Sequence, residues 1–495
     1  MRRIVKNGIT GSAGFGLKAF SKDDLDSIHY ATLQILGQTG IKVLNEDAME
    51  IFHGAGAFVE RFNGYAIVKI PSHIVEESIR LSPGSGIYHA RNPKDTFVAE
   101  PNRVGFTTFG ACPNVIDPFT RKARRGTLED TAGFARVCDY LDEIAVTERS
   151  VLAPDVPDGM MFVLSIREML TNTGKHIFQG ADSARALQVM TELAAVCAGG
   201  KEIFLKQPIF TPLVCPASPL MLPDVVCQVT IEAARIGLGV TIIPMGLSGG
   251  TAPATLAGTL VTHNAEVLGT IVLAQLTKKG TPCIYASTSS ILDLKLGTAA
   301  VGAPEYGMIN AAIAKLAQYY HLPCWIGAGA SDSKVPDIQS GYESTLSATL
   351  GALSGANFLF GCGVLEQGLT MDYAKLLMDA EMIRMIQTAT GGVPVSDEAL
   401  AVDVIHEVGP GGSYIAHQHT YQHMREQSRA KLFDRRSRED WLTAAKGESI
   451  QEKAYAAAID ILQNHRPFPL PEGAAEDMVK ITTEFEKEIA ANGKV

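Results

Sequence analysis

At 495 residues, with 46% hydrophobic and 19% charged residues, the chain has the make-up of a large folded protein and excludes a disordered or fibrous one. A formal net charge of −10 supplies no basic surface for neutralising phosphates, which excludes a nucleic-acid partner. The short run Arg121-Lys122-Ala123-Arg124-Arg125 reads as a solvated loop or a local docking patch for an acidic protein.

The start, Met1-Arg2-Arg3-Ile4-Val5-Lys6, carries basic residues but no apolar stretch of a signal peptide behind them. Ser21 and Asp24 form a capping box ahead of a predicted helix over 25–36, which Gly37 ends. A strand is predicted at 65–71, with Ser72 as N-cap of the helix after it. From about residue 100 the chain alternates between short apolar runs and longer stretches with helical spacing. Strands are predicted at 104–110, 144–151, 176–180, 209–215, 240–246, 283–288, 324–328 and 358–363. Helices are predicted at 128–141, 158–172, 183–198, 222–237, 253–278, 301–320, 339–354 and 370–391. Eight strands, each followed by a helix, make a (β/α)8 TIM barrel, and continuous apolar strands suit a parallel sheet covered by helices. No Gly-x-Gly-x-x-Gly follows the first strand, which weighs against a dinucleotide-binding open sheet. Charged helices are predicted at 425–447, 450–463 and 477–491. The expected organisation is an α+β extension over 1–100, the barrel over 101–391 and a helical extension over 392–495 packed on it.

The eight cysteines fall mostly in apolar segments and none forms a Cys-x-x-Cys pair, so buried thiols in a reducing cytoplasm are expected. No apolar stretch runs to membrane-spanning length without glycine, proline or charge, so no membrane association is expected. His321/Cys324 and His419/His423 have metal-ligand spacing, but the first pair straddles a strand start and the second lacks the Glu of a His-Glu-x-x-His motif. No bound metal is expected. Gly409–Gly412 lacks the lysine and hydroxyl of a P-loop, and nothing matches Asp-x-His-x-x-Gly, the signature of a protein that lends histidine to cobalt.

Several strand ends run into small residues, as in Pro244-Met245-Gly246-Leu247-Ser248-Gly249-Gly250, leaving room for something large at the barrel mouth. Lys334, in Ser331-Asp332-Ser333-Lys334, lies just past the seventh strand, where it is either a solvated loop lysine or a covalent or electrostatic catalyst. Asp332 is placed to tune or position it. Glu366 and Gln367 follow the last strand, where a carboxylate and an amide can face the barrel axis; Glu148, Asp155 and Asp372 are further acidic groups near strand ends. Phe106, Phe109, Phe178, Tyr285, Phe358 and Phe360 are candidate mouth aromatics, and those facing inward, with Phe109 and Tyr285 foremost, can cage a methylated ammonium.

Four segments, Gly105-Phe106-Thr107-Thr108-Phe109-Gly110, Ser218-Pro219-Leu220, Gly246-Leu247-Ser248-Gly249-Gly250-Thr251-Ala252-Pro253 and Gly409-Pro410-Gly411-Gly412-Ser413-Tyr414, together with the segment around Lys334, resemble the trimethylamine:corrinoid methyltransferase family. The resemblance runs over nearly the whole chain. It implies a TIM barrel that binds no corrinoid itself and demethylates trimethylamine onto the cobalt(I) of a separate corrinoid protein. It also implies that residue 334, at the position matching the family's pyrrolysine, is pyrrolysine printed as lysine, an imine that activates the amine. Relatives without pyrrolysine act on quaternary amines such as glycine betaine, which is the alternative. A Schiff-base lyase using Lys334 and a non-catalytic methylamine-binding barrel are the other readings. An assembly of identical chains is expected.

Overall fold

The computed structural model describes residues 9–10 and 17–492. Eight parallel strands close into a barrel: β1 (Arg103–Thr108), β2 (Thr147–Glu148), β3 (Ile177–Gly180), β4 (Phe210–Val214), β5 (Val240–Ile242), β6 (Cys283–Ser287), β7 (Cys324–Gly327) and β8 (Phe358–Cys362). Phe358 of β8 pairs with Gly105 of β1, and a parallel bridge from Phe106 to Ile144 joins β1 to the approach of β2, which completes the ring. The strands are buried almost throughout and mostly apolar because both faces are covered, one by the helices and one by the side chains that fill the barrel.

The covering helices are α1 (Leu128–Tyr140), α2 (Met161–Asn172), α3 (Ala184–Cys197), α4 (Asp224–Ile236), α5 (Leu256–Thr277), α6 (Pro304–Tyr319), α7 (Ile338–Ser354) and α8 (Tyr373–Thr390). Local chemistry sets their ends: Thr127 and Asp130 form a capping box on α1, Asp337 caps α7, and Gly237 and Gly355 terminate α4 and α7 in the left-handed region. α5 is long and apolar enough to cross a membrane, contrary to the expectation that no stretch reaches that length. It is instead a core helix, wedged between the barrel and the N-terminal segment, with 72% of its apolar window buried.

That N-terminal segment is stitched to the barrel. Its helix Lys22–Gln34 opens with the Ser21/Asp24 capping box and packs on α5, and its strand Ile41–Val43 pairs in parallel with Met221–Leu222 beyond β4. The hairpin Gly86–Tyr88/Phe97–Ala99 plugs the barrel floor, where Tyr88 and Phe97 meet Phe178, Trp325 and Phe358 in one aromatic cluster. Truncating a buried aromatic of this kind to alanine costs about 3–5 kcal/mol. Ser72 does not cap its helix: it is the first helical residue behind Pro71, and no side-chain bond caps that end.

At the other end, α9 (Ile450–Asn464) packs on α8 and α1, and α10 (Ala474–Asn492) on α3. Side chains from all three segments enter one hydrophobic core, from Ile28 to Phe485. The predicted helix over 425–447 shrinks to Arg438–Ala444, which buries none of its residues. Without an apolar stripe to pack, propensity alone does not hold a helix of that length.

The loops above the barrel are held against one another. Gly361 of β8 sits at φ +143° with the backbone of residues 328–330 against it, so that a Cβ there would meet the Ala328 oxygen and lie 2.9 Å from the Ala330 nitrogen. Gly361→Ala is therefore expected to destabilise by about 2 kcal/mol or more, through overpacking and the disfavoured φ, and a urea melt measures it.

Candidate active site

A cavity of about 530 Å³ opens at the C-terminal ends of the strands, the face on which TIM barrels carry their chemistry. Its walls are largely apolar: Phe109 and Phe360, whose rings stack at 5.5 Å, with Leu213, Val229, Ile243 and Met245. The cavity is walled by small or apolar groups because the chain runs to glycine, alanine and proline as the strands end, as at Gly180-Ala181 and Pro216-Ala217.

One wall is polar. Glu148 and Arg149 at the end of β2 and Gln179 on β3 all line the cavity, and each is more than nine-tenths buried. Glu148 Oε2, Arg149 Nη1 and Gln179 Oε1 have no hydrogen-bond partner among the described residues. Buried polar atoms without partners are costly, and these three belong to residues that line one cavity, where a polar ligand would supply the missing partners. Gln179 is held by its amide, which donates to the Phe162 carbonyl at 2.7 Å, while the Arg149 guanidinium lies 4.3 Å from the Phe162 ring centroid. Burial pushes the Glu148 carboxyl up to about 8 against the opposing pull of Arg149, and burial lowers Arg149 to about 10. Gly110 makes room for the Glu148 side chain, since a Cβ there would lie 2.7 Å from its carboxyl carbon.

Lys334 stands at the rim of the mouth on a braced loop. Glu343 of α7 accepts from Ser331 Oγ at 2.7 Å and from the Asp332 backbone nitrogen at 2.9 Å. Ser333 Oγ donates to Asp337, the cap of α7. From the β8 side, the backbone nitrogens of Glu366 and Gln367 donate to the carbonyls of Ser333 and Ser331 at 2.9 and 3.1 Å. Glu366 and Gln367 adopt positive φ, 52° and 62°, to present those two N–H groups together, and the Glu366 carboxylate accepts from Thr370. Gln451 of α9 donates to the Pro336 carbonyl. The loop is thus fixed from three sides while Lys334 itself is exposed, its Nζ donating to the Asp332 carbonyl at 2.8 Å. Phe109 links loop and cavity: it lines the cavity, and its ring lies 2.9 Å from where a Gly368 Cβ would sit, in the turn that grips Ser331 and Ser333.

The residues singled out in the sequence separate accordingly. Phe109 faces the cavity; Glu366 and Gln367 act on the Lys334 loop through their backbone, not as cavity-lining side chains. Asp332 turns its carboxylate to the Val301 N–H at 3.0 Å, and burial raises its pKa. Tyr285 points away from the barrel axis into the helix layer, where its hydroxyl donates to Asn264 of α5 at 2.7 Å; Phe106 also packs on the helix side. The strand pleat decides this, since successive residues face opposite ways. Phe178 and Phe358 face inward but lie deeper, on the floor cluster. Of the cysteines, only Cys215 opens to the cavity; the other seven are buried. His417, His419 and His423 lie around the short helix Gln418–His423, with His423 against Glu426. Among the described residues no group of three or more His, Cys, Asp or Glu side chains is arranged to hold a metal. Arg149 and Gln179 escaped the sequence reading, although two adjacent charges, Glu148 and Arg149, inside a predicted barrel strand were a legible anomaly.

Known proteins agree with this architecture. The family model for trimethylamine methyltransferase matches residues 10–489. The trimethylamine methyltransferase MttB of Desulfitobacterium hafniense (strain DSM 10664 / DCB-2) is 46% identical over 488 residues, 99% of this chain and 98% of that protein. MttB of Methanosarcina barkeri is 38% identical, with 97% of each chain covered, and the glycine betaine methyltransferase of Desulfitobacterium hafniense (strain Y51) is 32% identical over 90% of this chain and 92% of its own. Among solved structures, the Methanosarcina barkeri monomethylamine methyltransferase superposes with a TM-score of 0.51 at 13% identity, over 92% of this chain and 96% of that one, a likeness of fold.

Proposed function

The chain belongs to the trimethylamine methyltransferase family, and from that premise we propose that it demethylates trimethylamine in the cytoplasm, passing the methyl group to the cobalt(I) of a separate corrinoid protein. Residue 334, in this proposal, is pyrrolysine, and its imine engages the amine. An assembly of identical chains belongs to the same proposal, and light scattering of the purified protein tests it.

The observation that carries the reading is the pairing of a rigidly braced, exposed residue 334 with a mostly apolar cavity at the barrel mouth. A neutral amine is a poor leaving group, whereas a nitrogen that has acquired positive charge departs readily. An electrophile held on a fixed loop can draw the nitrogen lone pair and so create that charge, while the faces of Phe109 and Phe360 stabilise it. Loop bracing keeps the reacting geometry, where a misplacement of about 1 Å costs roughly 100-fold. The methyl carbon then bonds to cobalt as its bond to nitrogen breaks, cobalt(I) becoming cobalt(III).

A second reading has one observation in its favour. The unpartnered Arg149 Nη1 in the cavity suits a carboxylate, as carried by glycine betaine, whose nitrogen is already quaternary and needs no imine. A Schiff-base lyase is less well supported, because Lys334 Nζ is exposed and charged-state burial, the usual device for making a lysine nucleophilic, is missing.

Two measurements separate these readings. The intact mass of the protein from its own host is expected to exceed that of the printed sequence by the pyrrolysine ring. At equal concentration, trimethylamine is expected to methylate cobalt far faster than tetramethylammonium or glycine betaine, since only it has a lone pair for the imine. An aromatic cage alone gives the reverse order. A preference for glycine betaine with an unmodified lysine mass would assign the chain to quaternary amines.

A further inference from the structure

The polar wall of the cavity, built from residues at the ends of β2 and β3, has a task of its own. Trimethylamine in water is mostly the ammonium ion, which has no lone pair to offer. It must lose a proton before any electrophile can engage it, and the dimethylamine that leaves must gain one. We propose that Glu148 is the catalytic acid–base for this traffic: its carboxylate takes the proton from trimethylammonium as the substrate enters the cavity and gives it back to the departing dimethylamine. This rests on the trimethylamine reading above.

The geometry supports it. Glu148 lines the cavity with Oε2 buried and unpartnered, so a hydrogen bond from a ligand N–H is what the atom lacks. Gly110 leaves space for the carboxyl in that position. Around it, Phe109, Leu213, Ile243 and Phe360 make an apolar chamber in which a neutral acid beside a neutral amine costs less than a buried ion pair. The titratable groups facing it are Arg149, the next residue in the chain, which favours the carboxylate, and the thiols of Cys112 and Cys215; Asp182 lies by Arg149. With burial outweighing Arg149, the carboxyl titrates near 8, close to working pH, where a group can both accept and donate.

The proton and electron balance closes. The ammonium N–H bond breaks with its electron pair left on nitrogen, and the proton forms an O–H bond on Glu148. In the transfer, the C–N bond breaks with its pair on nitrogen, cobalt(I) supplies two electrons to the new Co–C bond, and the Glu148 proton completes dimethylamine. No further oxidant or reductant is needed.

The test compares wild type and Glu148→Gln, each carrying the native residue 334, with the cognate corrinoid protein reduced to cobalt(I). In wild type, kcat/KM for trimethylamine should be bell-shaped: it falls below about pH 8, where carboxyl and ammonium are both protonated, and falls again above the ammonium's own pKa, where no proton is left for the leaving amine. Glu148→Gln should lose about 100-fold or more in kcat and should lose the alkaline limb, its residual kcat/KM rising with the free amine to a plateau. Glu148→Asp, which keeps the carboxyl, should keep both limbs at reduced kcat, and stands in if Glu148→Gln fails to fold. Retention of wild-type kcat by Glu148→Gln, or a residual activity with both limbs intact, would overturn the proposal. A wild type that does not demethylate trimethylamine at all would sink the functional reading instead, so the two failures are distinguishable.

Discussion

Replacing residue 334 by alanine is expected to lower cobalt methylation from trimethylamine by about a thousandfold or more while leaving the fold intact. The loss is large because the substituted group is the only one proposed to make nitrogen a leaving group. The aromatic faces stabilise the charge and Glu148 moves the proton, but neither creates the charge on nitrogen, so they cannot replace a group that does. The fold is spared because the residue 334 side chain is exposed and, among the described residues, its Nζ donates only to the Asp332 carbonyl two residues away, so stability should change by less than about 0.5 kcal/mol. Kinetics and thermal melting on one preparation decide the matter. An alanine variant that retains most of its activity would remove residue 334 from the chemistry. One that loses activity and melts early would make the residue a brace of the loop. Substitution of Glu343, which accepts from both Ser331 and Asp332, should act more mildly, since the backbone bonds from Glu366 and Gln367 remain.

The second large effect is a dependence on another protein. Purified alone, the chain is expected to show no corrinoid absorbance and no demethylation, and to gain activity only when a methyl-accepting corrinoid protein is added. Two features support this. The sequence has no Asp-x-His-x-x-Gly to lend a histidine to cobalt, and the mouth cavity of about 530 Å³ has the size that encloses a drug-sized ligand rather than a corrin macrocycle with its side chains. The small-residue loops at the strand ends leave the mouth open for a partner to present its cofactor over the cavity. A visible spectrum of protein from a host lacking the partner, followed by an activity titration with it, makes the measurement. Tightly bound cobalamin copurifying from such a host would overturn the expectation.

The sequence by itself determined the barrel. All eight strands and their helices stand within a few residues of where apolar runs and helical spacing put them, because strands covered on both faces are mostly apolar and because caps such as Thr127, Asp337, Gly237 and Gly355 write helix ends locally. The location of Lys334 past the seventh strand followed from the same alternation. Where local chemistry lacked a packing partner, the reading failed, as in the segment 425–447, whose charge and helix formers give a helix only at Arg438–Ala444. What the tertiary structure alone decided is which side chains meet. Phe109 and Tyr285 were equal candidates as aromatics near strand ends; the pleat turns one into the cavity and the other against Asn264. Glu366 and Gln367 brace the Lys334 loop through their N–H groups, which a reading of side-chain chemistry does not see. Glu148, Arg149 and Gln179 converge across two strands 31 residues apart in chain numbering (148 to 179), and their unpartnered atoms become visible only once the barrel closes. A site of this kind is a property of the closed ring: periodicity fixes each strand, but convergence at the mouth depends on the tilt and register between strands, which no single segment encodes.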